Sequence, residues 1–408
     1  MCKIKRACLG GCRTWYSPFI LAAYFHSQIW LHLHPPTRHQ LTHHFQLNRS
    51  SSLQEQATDS LSIKVLRNHL SSDFIPLPWQ PQLHHPANYS ILSPTLTSKS
   101  LHTNGCNITN SSSVPLDFET NFSPYYRLYL APDPRPHGFV HPDTVSSMPW
   151  PTTFTINHET RQVTLTEPPS SQSLTEHANS SFQKAIDKAI DEDLFPILHK
   201  EHSEYFRIVG ARSFVQVERF AAPLFGIATR GAHLTGYVRD EHGGIKIWVA
   251  RRSRHLFSYP GLLDSTVAGG IKASDTPLAC IEAESTEEAC LPPDLVSTAL
   301  EPAGAITLAN INAKSKLFHS DIIYVFDLQM PADVIPRPGD DEVEQFVLME
   351  CGEVVERMLK GEFKPNVCPV MIDFLVRRGF VTEENEEDFE EIRKRLRREI
   401  PVPMESDV

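Results

Sequence analysis

The chain has 408 residues, 40% of them hydrophobic and 21% charged, which is enough for two to four domains of roughly 100–200 residues. The most apolar stretch, Trp15 to Leu33, is interrupted by Pro18, His26, Gln28 and His32, so a membrane-spanning helix is excluded. Residues 1–123 hold 9 Lys and Arg against 5 Asp and Glu, whereas residues 124–408 hold 29 against 44. That acidic body argues against nucleic acid or a membrane as partner, and an anionic ligand would need a local basic patch or a metal ion.

Residues 1–123 read as a disordered leader. Segments such as His32 to His39 and Asn107 to Pro115 hold no helical or strand period, and such polar, Pro-rich chain cannot bury enough apolar surface to offset its entropy. The first acidic residue is Glu55, after six Lys and Arg and many Ser and Thr, a pattern shared by organelle transit sequences. A dispensable tail is the alternative, so the expected location is cytoplasmic, or mitochondrial if the leader targets. The cysteines at 2, 8, 12, 106, 280, 290, 351 and 368 show neither zinc spacing nor a paired framework and read as reduced thiols of an intracellular protein. Glycosylation-type triplets, among them those at Asn48, Asn88, Asn107, Asn110 and Asn179, are what a Ser/Asn-rich tract produces by chance.

Ordered character begins near Tyr125. A small α+β domain is expected over 124–215, with a β-hairpin at 154–165, a helix at 181–199 and strand character at 206–220. A second domain is expected over 216–400. It opens with strands at 231–239 and 244–250 around the turn Asp240–Gly244, then a strand ending at Gly270. Thr276 as N-cap and Pro277 at the first helical position predict a helix running to about Leu291, stopped by Pro292 and Pro293. A buried strand follows at 322–328, then helices at 352–360, 367–378 and 384–399, the last a charge-laced surface helix.

Glu284, Glu287 and Glu288 stand at i, i+3 and i+4, so one face of that helix gathers three carboxylates. Such groups repel one another, and a divalent cation reverses the sign. Mg²⁺ takes oxygen ligands, keeps several waters and bridges to phosphates. Gly269 and Gly270 lie just before the helix, where a missing side chain lets backbone and an oxygen-rich ligand approach.

The segment Gly269–Leu291 resembles the Nudix hydrolase signature G-x5-E-x7-R-E-U-x-E-E-x-G-U, where U is aliphatic. Asp275, Ala283, Ser285 and Cys290 stand where that pattern has Glu, Arg, an aliphatic residue and Gly. Ala283 is the most consequential, because the family's arginine holds a glutamate in place and its loss is expected to loosen the cage. The resemblance implies an α/β/α sandwich with a mixed sheet, metal bound by Glu284, Glu287 and Glu288 (Mg²⁺, or Mn²⁺), and hydrolysis of a small-molecule diphosphate. Outside the box, Glu218-Arg219, Leu224–Ile227, Gly231–His233, Trp248–Arg252, Tyr259–Asp264, Asp341–Val343, Gly361–Asn366 and Asp373–Leu375 resemble one group. That group is related to the Nudix domain fused to thiamin pyrophosphokinase in fungi. No G-x-x-x-x-G-K-[ST] phosphate loop occurs, so kinase activity is not expected. The group resemblance implies cleavage of thiamin diphosphate analogues, oxidised or damaged, to the monophosphate. Oxidised or other nucleoside diphosphate derivatives are the alternative substrates, and a catalytically weak binding module the alternative class.

Beyond the helix, Glu342 is the candidate general base, with Glu288 as the other choice. Arg251 and Arg252 follow a strand and present forks that match phosphate oxygens. Trp248 and His233 are expected to be structural. The sequence leaves the oligomeric state open.

Overall fold

A computed structural model describes residues 111–113 (as a paired strand), 122–198, 203–312 and 314–404. The rest of the expected leader, with Cys2, Cys8, Cys12, Cys106 and the asparagines Asn48, Asn88, Asn107 and Asn110, lies outside these residues. No described helix is long and apolar enough to cross a membrane. Asn179 is occupied within the fold: its side chain donates to the Phe214 carbonyl and accepts the Gln216 N–H.

Side-chain alternation explains the architecture. Strands Ala228–Arg239 and Phe318–Gln329 pair in parallel, with Ser320 opposite Ala228 and Gln329 opposite Tyr237. Successive residues of a strand face opposite sides. Ala232, Leu234, Phe326 and Leu328 therefore pack on one side with Cys280, Ile281 and Val296, from helices Pro277–Glu287 and Pro293–Ala299. Tyr237, Ile323 and Val325 pack on the other with Val354, Val370, Phe374 and Ile392, from helices Cys351–Leu359, Val367–Arg377 and Phe389–Leu396. The sheet is mixed, because Leu300–Asn312, Ile245–Arg252 and Val267–Gly270 join these two strands antiparallel. Strands Leu263–Asp264 and Val343–Glu350 both pair with Ile245–Arg252. The result is an α/β/α sandwich.

Residues 122–227 build a second layer: strands ordered Pro136–Val140, Tyr126–Leu130, Gln162–Leu165 and Phe154–Asn157, covered by helix Leu174–Asp191. That helix starts earlier than the 181–199 expected from apolar spacing. Its first turns are polar, but Ser173 and Glu176 form a reciprocal capping box. It ends earlier as well, with Asp193 in the left-handed region at φ 54 and Pro196 beyond it. The strand character expected at 206–220 resolves into the hairpin Tyr205–Arg207 and Gln216–Glu218 followed by short helical turns. The second layer is welded to the sandwich through Phe139, Phe318, Ile322, Ile400 and Val402, with Phe139 edge-on to Phe318 at 5.3 Å.

Two further boundaries differ. The helix expected to reach Leu291 stops at Glu287, and the Leu291 N–H folds back to the Ser285 carbonyl at 3.0 Å. Cys290 takes the left-handed conformation of that stop at φ 50, the conformation glycine adopts without strain. The last helix is Phe389–Leu396 rather than 384–399. Helix Pro293–Ala299 and the strands Leu300–Asn312 and Val343–Glu350 had no assigned counterpart in the sequence reading.

Cys280, Cys290, Cys351 and Cys368 are free thiols, and burial pushes Cys280, Cys351 and Cys368 up to about 12.

Candidate active site

Helix Pro277–Glu287 is set by its ends. Thr276 Oγ1 accepts the Ala279 N–H at 3.1 Å, and Pro277 supplies the first turn. Cys280, Ile281 and Ser285 face the sheet, with the Ser285 hydroxyl satisfied by the Ile281 carbonyl at 2.6 Å. This orientation delivers the glutamates to the end of strand Val267–Gly270. Glu288 is 7% exposed, and its Oε2 accepts the Ala268 N–H at 3.1 Å. Glu284 lies over Gly269, where an added Cβ would stand 2.3 Å from its Oε1. Glu287, at the helix end, stays exposed.

Glycine at 269 is therefore needed for the approach of a protein carboxylate. Gly270 makes room for Phe206, whose ring would lie 2.9 Å from an added Cβ. In this structure the two spaces sought for a ligand are filled by Glu284 and Phe206. Gly269→Ala should displace Glu284 while leaving the fold intact, because the blocking atoms end a flexible side chain. We expect kcat/KM to fall about 10²-fold, the scale of a roughly 1 Å misplacement, at nearly unchanged Tm. Activity assay and thermal melt together check it.

The loop that follows strand Phe318–Gln329 completes the cluster. Arg337 and Gly339 N–H groups bond the Ala289 and Glu288 carbonyls, each at 3.0 Å, and the Ser253 N–H bonds the Glu342 carbonyl at 2.8 Å. The fold thereby brings Glu342 within electrostatic reach of the helix. Burial raises Glu284 to about 7, with Glu287, Glu342 and Glu204 adding to the rise and Lys272 opposing it. Burial likewise carries Glu288 well above the ordinary carboxylate range; Glu284, Asp264 and Glu342 add to it against the Ala268 hydrogen bond.

Two acids of this neighbourhood carry no signal of a site role in the sequence. Asp264 lies within the segment Tyr259–Asp264. It is 4% exposed and bound by Arg252 Nη1 at 3.1 Å and Lys364 Nζ at 3.4 Å. Burial pushes its carboxyl upward, but Lys364, His233, Arg252 and the Ser265 N–H hold it below its ordinary value. Glu204 comes from the second layer, paired with Lys272 at 3.5 Å and Arg219 at 3.4 Å. Nothing local signals a partner so distant in sequence.

Arg251 and Arg252 are half-buried and engaged: Arg251 Nη1 donates to the Gly261 carbonyl at 2.9 Å, and Arg252 reaches both Asp264 and the Ser258 carbonyl. His233 is buried, with Nδ1 2.9 Å from Ser265 Oγ, and burial lowers it to about 4. Trp248 packs with the helix-facing core of the sheet. Ala283 is exposed, so the position of the box arginine faces solvent.

The donor set fits a divalent metal. Carboxylates held close together at raised pKa favour any cation that replaces their protons. Glu284, Glu287 and Glu288 would hold it. Among the described residues no three His, Cys, Asp or Glu side chains form a ready-made cage; donors from one side suit an ion that keeps waters for the rest of its shell.

No family model matches the chain. Over 308 residues it is 31% identical to an uncharacterized protein of Saccharomyces cerevisiae, covering 71% of this chain and 89% of that one. It is 34% identical over 196 residues to Nudix hydrolase 20, chloroplastic, of Arabidopsis thaliana, covering 48% of this chain and 51% of the relative. Nudix hydrolase 24, chloroplastic, of the same plant is 31% identical over 203 residues, covering 50% and 52%. The chain thus spans about half the length of these two relatives. Among solved structures, a Deinococcus radiodurans protein is 21% identical with a TM-score of 0.33, covering 44% of this chain and 100% of that one.

Proposed function

We propose that the chain, which is similar to two Nudix hydrolases over about half their length, hydrolyses a diphosphate bond in a small molecule with the help of Mg²⁺ or Mn²⁺. The observation that carries this reading is the crowding of Glu284 and Glu288 against strand Val267–Gly270, with both carboxyls raised. When bound, the metal neutralises diphosphate oxygens and makes water more acidic. Glu342 accepts the proton of the attacking water at its carboxylate, with Glu288 as the other choice. Arg251 and Arg252 offer guanidinium donors to the terminal phosphate, and Asp264 and the Gly261 and Ser258 carbonyls hold them in place.

For the organic half we propose a thiamin diphosphate analogue. The segments between Glu218 and Gly270, and between Asp341 and Leu375, support this through their group resemblance. Ala283 favours the second reading, a binding module of weak turnover. Phosphate release from a panel of thiamin and nucleoside diphosphates, with Mg²⁺ and with chelator, decides between them. Glu287→Gln should lose roughly 10³-fold in kcat, several kcal/mol of charge stabilisation. Glu342→Gln should lose roughly 10², at the lower end for a general base. Equal turnover by the parent and Glu287→Gln would remove the metal site, and tight binding of the panel without release would establish the module.

A further inference from the structure

Loop 253–262 joins strand Ile245–Arg252 to strand Leu263–Asp264 and carries two exposed aromatic residues, Phe257 at 77% and Tyr259 at 46%. Single exposed rings are ordinary on protein surfaces. These two sit on a loop fastened along its length. Arg251 binds the Gly261 carbonyl at 2.9 Å, and Arg252 binds the Ser258 carbonyl at 3.3 Å through both Nε and Nη2. The Ser253 N–H bonds the Glu342 carbonyl at 2.8 Å, while Arg254 and His255 pair with Glu344 at 3.4 Å and Asp341 at 3.6 Å. Tyr259 itself adopts φ 51, a left-handed conformation uncommon for a bulky residue and held here by these fastenings.

The fastenings end at the acidic cluster. Arg252 continues to Asp264 at 3.1 Å, and Asp264 and Glu342 are both charged neighbours of Glu288. Asp321, on strand Phe318–Gln329, is the charged neighbour of the Tyr259 hydroxyl. At 46% exposed, Tyr259 keeps much of its ring open. Rigid rings displayed beside a phosphate-handling cluster lose little freedom when a flat group settles on them.

We infer that Tyr259 and Phe257 form the subsite for the organic half of the substrate, stacking on a planar heteroaromatic ring that carries the diphosphate. This specificity role rests on the diphosphate-hydrolase reading above. Base–aromatic stacking supports at least a several-fold preference per ring.

The test compares thiamin diphosphate and ADP, which carry rings, with methyl diphosphate, which has none. In Tyr259→Ala and Phe257→Ala, KM for the ring-bearing probe the parent prefers should rise about tenfold. Methyl diphosphate should change less than twofold, and Tyr259→Phe should restore the parent value. Equal losses on methyl diphosphate, or no change on any probe, would overturn the subsite, as would a parent indifferent to the ring. Calorimetric titration of the same three compounds separates the two readings. Ring-dependent binding that Tyr259→Ala abolishes, without turnover in the parent, upholds the subsite and sinks the hydrolase. Turnover with ring-independent binding does the reverse.

Discussion

Glu288→Gln should lose most of its activity and, in chelator at pH 8, be more stable than its parent. Glu288 is 7% exposed, and burial, then Glu284, Asp264 and Glu342, raise its carboxyl well above 4.5. A carboxyl whose folded pKa exceeds its unfolded value binds its proton more tightly in the folded chain. Stability is then greatest below about 4.5 and falls as pH rises toward and through the folded pKa. Glu284, raised to about 7, adds to the same loss. Glutamine keeps the shape, still accepts the Ala268 N–H and carries no charge. The metal-free variant should therefore be the more stable of the two at pH 8, a gain that closes toward pH 4.5. Mg²⁺ works the other way, since about 100 Kd of a ligand that binds only the folded chain stabilises the parent by about 2.7 kcal/mol. The variant should not share this gain, and its kcat/KM should drop roughly 10³-fold. Urea titrations at pH 5 and pH 8, with Mg²⁺ or chelator, read every arm. A chelated variant less stable than its parent at pH 8 would mean that the cluster does not strain the fold.

Legibility in the sequence followed the range of the forces involved. The hairpin at 154–165 and helix Val367–Arg377 came through because alternation and apolar spacing are local signals. Thr276 and Pro277 marked a helix start for the same reason. The helix ends did not follow apolar pattern. Glu287 is the last helical residue because the chain turns back through Cys290 and the loop at 337–339 takes up the exposed carbonyls. Strand Val343–Glu350 has an edge position and mixed burial, so its pattern carried little contrast.

The same division runs through the site. Three glutamates along one helical turn needed only helix periodicity to be grouped. Glu342 is joined to them by a loop crossing, and Glu204 by the docking of a separate layer, neither of which leaves a local pattern. The arginines are a subtler case. Their spacing suggested a free fork for phosphate, whereas Arg252 is already committed to Asp264 and Ser258. A side chain's type can be read from sequence; its existing partners require the fold.

Asp327→Ala is expected to be the most destabilising single change outside the catalytic cluster. Asp327 is 2% exposed on strand Phe318–Gln329, facing helix Val367–Arg377. Arg377 grips it with both Nη atoms, and Arg378 Nη2 donates to it at 2.7 Å. Replacing it recovers the desolvation penalty of one carboxylate but strands two guanidiniums that are only 24% and 19% exposed. Arg377 retains Asp373 at 2.6 Å, so its loss is partly made good. Arg378 keeps Glu301 at 3.8 Å, an acid 69% exposed, and cation–π contacts with Tyr237 at 4.6 Å and Phe374 at 5.3 Å. Breaking a buried pair from one side typically destabilises by 3–5 kcal/mol. With one arginine still satisfied, about 3 kcal/mol is expected here. In urea this appears as a lower midpoint at unchanged slope, because the surface exposed on unfolding is the same. Asp327→Asn keeps an acceptor and should lose less. A midpoint unmoved in Asp327→Ala would show that these charges are balanced by solvent, leaving the helix docked by its apolar face alone.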